Sequence, residues 1–139
     1  VGCFGGSDPL PAASDVDARE VISFSERIEA FYAMLEHIPL DAIVTYENAE
    51  LRSHFVSEAA FNDYYSSLAN QVRRSNMRNT RPQRVSVREF RFQYRDVATV
   101  ELMITGPYQR TLRFWDVEIK RVDTWKRLDG VWVLTPDKL

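Results

Sequence analysis

Large apolar side chains recur every three or four positions from Val21 to Val72, and roughly every second position from Val85 to Thr135. The first spacing is one face of a helix, the second a strand with two unlike faces. One change of period along the chain implies helices first and a sheet afterwards. The strands follow one another with short connections, so the sheet is expected to be mainly antiparallel and the class α+β.

Three helices are expected in the first half. Val21, Phe24, Ile28, Phe31, Tyr32 and Leu35 form the stripe of the first, which Ser14 or Asp15 can cap and His37-Ile38-Pro39 ends. Pro39 suits the first position of a short second helix that buries Ile43 and Val44. Ser57 caps a third, with Phe61, Tyr64, Tyr65, Leu68 and Val72 inward. The polar segment RRSNMRNTRPQR closes the helical half.

The strand half is rich in Val, Ile, Thr and aromatics, interrupted by turn signals at Arg95-Asp96, Gly106-Pro107 and Asp129-Gly130. Asp-Gly is the strongest, because a tight hairpin turn needs positive φ. In VSVREFRFQY the large side chains change parity between Val87 and Phe90, the signature of a bulge in a curling sheet.

A chain of 139 residues makes one domain, expected over 16–139, and no run of about twenty apolar residues crosses a bilayer. The single cysteine, Cys3, forms no intrachain disulfide. Val1-Gly2-Cys3 resembles the end of a bacterial lipoprotein signal, and the Gly/Pro/Ser/Ala-rich stretch behind it reads as a flexible tether over residues 1–15. On that reading Cys3 carries lipid and the domain hangs from a membrane in the periplasm or on the outer cell surface. The alternative is a chance Val-Gly-Cys ahead of an unanchored domain.

Charge is unevenly placed. Between Asp8 and Asp63 twelve acids meet three arginines, an excess of nine negative charges; the remainder has fifteen bases and eight acids, an excess of seven positive charges. Arg73, Arg74, Arg78, Arg81, Arg84, Arg88, Arg91 and Arg95 invite a nucleic-acid reading. An overall pI near 5.7 argues against it and favours an acidic partner surface or anionic head groups.

Two stretches, AFYAMLEHIPLDAIVTYENAELRSHF and DTWKRLDGVWVLTP, together with the element order, resemble the nuclear transport factor 2-like superfamily over about Val21 to Pro136. That superfamily includes ketosteroid isomerase and the SnoaL-type cyclases. The resemblance implies a cone, with a bent sheet wrapped around the first helix and a pocket between them. It places Phe31, Tyr32, Leu35, Trp115, Trp125 and Trp132 around that pocket.

The isomerase's tyrosine falls on Tyr32, but its aspartate falls at Phe55 beside His54, where there is no carboxylate. His54 is a substitute base by chemistry and a hydrogen-bonded structural residue by frequency. Asp116 and Glu118 share a strand face: inward they would be acid–base groups in an apolar cavity, outward the partners of Arg88, Arg91 or Arg113. Two His and one Cys suggest no metal site, and there is no phosphate loop or nucleophile elbow, so no cofactor is expected.

The expected function is therefore non-catalytic: binding or scaffolding at the cell envelope, with the sheet face joining a second copy or another protein. Phe90, Phe92, Tyr94 and Trp115 are the candidate apolar centre, about half of which the core must claim, with Arg88 and Arg91 beside them; a small apolar ligand in the cone is a further expectation. The competing class is a SnoaL-like isomerase, cyclase or hydrolase with an acid–base pocket.

Overall fold

Asp17 opens the first helix, its Oδ1 accepting from the backbone N–H of Glu20 at 2.8 Å. Both Asp15 and Asp17 suit a cap chemically, but only Asp17 stands three residues before an acid that favours the first turn. Helix α1 then runs Ala18–His37 and buries Phe24, Ile28, Phe31, Tyr32 and Leu35. The computed structural model describes residues 16–37, 48–77, 84–108 and 115–136. The leader with Cys3 and the expected helix at Pro39–Val44 lie outside the described residues. A short helix not anticipated from spacing, α2 (Ala49–Arg52), is capped by Asn48, whose Oδ1 accepts from Leu51 N at 3.0 Å. Helix α3 (Glu58–Arg74) begins at Ser57, whose Oγ accepts from Ala60 N at 3.1 Å.

Four antiparallel strands follow in spatial order β1-β2-β3-β4, the same as their chain order: β1 Arg84–Tyr94, β2 Val97–Pro107, β3 Asp116–Leu128 and β4 Val131–Thr135. Arg88 is the extra residue of a bulge, since Val87 pairs with Leu102 and Glu89 with Glu101. It moves the inward parity from Val85 and Val87 to Phe90 and Phe92 and bends the sheet. Asp129 and Gly130 have φ of 52° and 79°, the two positive values that a two-residue hairpin turn requires. Gly106-Pro107 is not a turn: β2 continues to Pro107, which pairs with Asp116. β1 begins at Arg84 opposite Thr105, and just past the end of β2 Met77 bridges Tyr108.

The helices lie on one side of this sheet. Phe24 of α1 touches Phe90 and Phe92 of β1, Trp125 of β3 and Trp132 of β4, with ring centroids 4.7–6.2 Å apart. Trp125 is wholly buried, which removes about 150–250 Å² of side chain from water and is worth roughly 4–6 kcal/mol of transfer free energy. Arg27 on α1 closes the arrangement, donating through Nε to the Trp132 carbonyl at 2.8 Å and through Nη2 to the Ser53 carbonyl at 2.9 Å. Phe90 and Phe92 therefore belong to the helix-facing core. This corrects their expected place on an outer face, and the bulge at Arg88 is the reason.

Candidate functional site

Strand parity places the polar centre of the molecule. Val117, Ile119, Arg121, Asp123 and Trp125 alternate along the inward face of β3, so an arginine and an aspartate point at the helices. Arg121 is 7% and Asp123 2% exposed, beneath Tyr32 of α1 and Tyr64 of α3. Two buried charges are tolerated only if paired and hydrogen-bonded.

They are both. Asp123 Oδ2 accepts from the Tyr32 hydroxyl at 2.6 Å and from the Tyr64 hydroxyl at 2.7 Å, while Oδ1 accepts from Arg121 Nε at 2.8 Å. Trp125 Nε1 donates to the Tyr32 oxygen at 3.1 Å. Arg121 also donates to Gln71 Oε1 at 2.9 Å, and its guanidinium carbon lies 4.8 Å from the centre of the Tyr64 ring. One carboxylate thus joins α1, α3 and β3.

Burial pushes the Asp123 carboxyl above the ordinary carboxylate range, against the opposing pull of Arg121 and the two phenols. Burial and the neighbouring Asp123 charge push both Tyr32 and Tyr64 well above the ordinary phenol value, so each keeps its proton. Each of those protons is already donated to Asp123. A substrate entering here would have to displace one of these bonds to reach a donor or a base.

The other expected site residues are dispersed. His54 is buried, with Nδ1 3.0 Å from the Glu50 carbonyl, and its own carbonyl accepts from Leu134 N at 2.8 Å. Burial, reinforced by Arg27, lowers its pKa, so the neutral imidazole is the stable form. His54 reaches the centre only through ring contacts, 5.2 Å to Phe31 and 6.3 Å to Trp125. Phe31, Leu35 and Trp132 are buried in the core.

Asp116 and Glu118 stand exposed on the outer face, because Ile119 and Trp125 fix the opposite parity inward. Of the two alternatives for these acids, the outward one is realised, and they are not interior acid–base groups. Trp115 is 48% exposed and lies against Tyr108, centroids 5.1 Å apart, one residue ahead of β3 and away from the other two tryptophans. Tyr94 is 42% exposed at the end of β1; Arg88 and Arg91 are exposed, and Arg91 meets Glu89 at 3.3 Å.

Asp123, Arg121 and Tyr64 were not singled out from sequence as a site, although a signal was present. Extending the alternation of Val117 and Ile119 by three further steps reaches Arg121, Asp123 and Trp125. An opposite-charge pair on an inward face needs further hydrogen-bonding partners, and two helix stripes each offer a tyrosine. Among the described residues there is no cluster of His, Cys, Asp or Glu suited to a metal, and no helix is long and apolar enough to cross a membrane. Compared with protein-family models, with curated proteins and with solved structures, the chain gives no match.

Proposed function

We propose that this is a non-catalytic binding or scaffolding domain of the nuclear transport factor 2-like cone type, joining a second copy or another protein through the outer face of its sheet. The observation that carries this reading is the closed interior: the phenols of Tyr32 and Tyr64 and the carboxylate of Asp123 are spent on one another and are at most 2% exposed. Acid–base catalysis needs a group within reach of a substrate proton. The outer face is open by contrast.

Its apolar centre is Val122, 55% exposed, with Met103 diagonal to it on β2, bordered by Glu101, Lys120, Thr99 and Thr124. Such a centre with a mixed polar rim is the usual anatomy of an interface, and the surrounding charges select register and partner. Tyr94, paired with Val97, lies at its margin. An envelope location with lipid on Cys3 belongs to the same proposal and rests on Val1-Gly2-Cys3 alone. Intact mass of protein from its host membrane fraction tests that part, with an unmodified thiol as the refuting result.

Sedimentation velocity and pull-down test the main reading. A dimer or a recovered partner that is lost in Val122→Glu supports it. A strict monomer that recovers nothing, yet turns over a small molecule in a Tyr32-dependent way, replaces it with the SnoaL-like enzyme.

A further inference from the structure

Strand β3 is longer than the strand beside it. β4 pairs only with Thr124–Leu128, ending at Thr135 opposite Thr124, and residues 137–139 lie outside the described residues. The two-residue turn makes Leu128 and Val131 a hydrogen-bonded pair. By alternation the backbone groups of Lys126, Thr124, Val122, Lys120 and Glu118 all point to the β4 side. Beyond Thr124 no strand among the described residues meets Val122, Lys120 or Glu118 along that edge. A row of unpaired strand groups is a template for another extended chain.

The edge does not face open solvent directly. The C-terminal half of α3 runs beside it, and between the two lies a cleft of about 380 Å³ lined by Ser67, Asn70, Gln71 and Arg74 of the helix and Lys120, Arg121 and Val122 of the strand. Arg74 and Lys120 are exposed cations and none of the seven side chains is acidic, while Arg121 is held by Asp123 and Gln71. Gln71 Nε2 donates to the Lys120 carbonyl at 3.4 Å, a long bond from a side-chain amide in the place where a neighbouring strand would supply its N–H.

We infer that the cleft between α3 and the edge of β3 that no described strand covers takes an extended acidic peptide, which adds as a strand alongside Glu118–Val122 and sets its carboxylates against Arg74 and Lys120. Main-chain bonds to the edge supply affinity and the cations supply the preference for acidic sequence. The peptide displaces the Gln71 amide from the Lys120 carbonyl and continues the row that β4 leaves at Thr135. The cleft shares Lys120 and Val122 with the outer face proposed above but engages the backbone edge of Glu118–Val122, so hydrogen exchange at the edge amides and the loss of self-association in Val122→Glu separate the two readings.

The test uses the full chain and a fluorescein-labelled peptide of Glu-Glu-Thr-Thr repeats, which puts carboxylates on both faces of an added strand, followed by anisotropy and by amide hydrogen exchange. Saturable binding, weakened at least about tenfold by Arg74→Glu with Lys120→Glu, and slowed exchange at the Val122 and Lys120 amides are the expected results. Both substituted side chains are exposed, so folding is retained. The same peptide N-methylated at alternate positions should not bind. Absence of saturable binding up to about 1 mM peptide overturns the inference, as does binding indifferent to the charge reversals. Self-association that protects the same two amides in place of the peptide assigns the edge to a second copy and overturns the acidic occupant.

Discussion

At the scale of the residue, the centre of this fold rests on Asp123. Tyr32→Phe or Tyr64→Phe removes one donor from a buried carboxylate while keeping the ring, and each should destabilise by about 1–3 kcal/mol in urea unfolding. Asp123→Ala removes the carboxylate that the buried Arg121 guanidinium and both phenols share and should cost more, about 3–5 kcal/mol. If the Phe variants proved as stable as the parent, the phenol bonds would not hold the centre together. The sequence showed each of these residues and the parity that collects three of them on one face. It did not show that Tyr32 and Tyr64 meet at Asp123, because that depends on how two helices lie across a bent sheet. His54 was ambiguous in sequence for a related reason: only the packing around it decides between a base and a buried structural imidazole.

At the scale of the element, patterns of one period were legible and the places where the period breaks were less so. The cap at Ser57, the bulge after Val87 and the Asp129–Gly130 turn follow directly from residue type and alternation. The Gly106-Pro107 turn was misread because a proline reads as a stop when its pairing is unknown. Trp125→Ala empties a fully buried site touching Phe24, Phe31 and Tyr32 and should cost about 3–5 kcal/mol. Gly130→Val forces a β-branched residue to φ near 79° and should lower the melting temperature although its side chain meets nothing. Gly106→Ala would put a Cβ 2.4 Å from Met77 Sδ and 2.6 Å from its Cγ, an overpacking of about 1–3 kcal/mol. Combined with Met77→Ala it should cost less than the two changes added, because one cavity admits the other methyl.

At the scale of the whole molecule, burial sets a pH window. His54 has a lowered pKa in the fold, so its contribution is fully present above the unfolded value of about 6.5 and is lost as pH falls through the folded one. Tyr32, Tyr64 and Tyr65 have raised values, so their contribution is present below about pH 10 and is lost as pH rises past it. Circular dichroism should show stability falling on both sides, with His54→Gln flattening the acid limb. Phenolate absorbance from these three tyrosines should appear only together with loss of the fold. Phenolates formed while the fold persists would show the network to be looser than its distances imply.

The bonds at Asp123 also have a consequence for how the protein is made. Tyr32 and its acceptor are 91 positions apart. A ribosome adding about 5–20 residues per second produces α1 on the order of 5–20 s before it produces the strand that receives it. Through that interval the stripe of Phe24, Ile28, Phe31 and Leu35 has no sheet to cover it. The nascent helices must be held by the exit tunnel, by a chaperone or by one another until β3 emerges. Codon choice and chaperone supply between α3 and β3 should therefore govern yield more strongly than any single change on the finished surface.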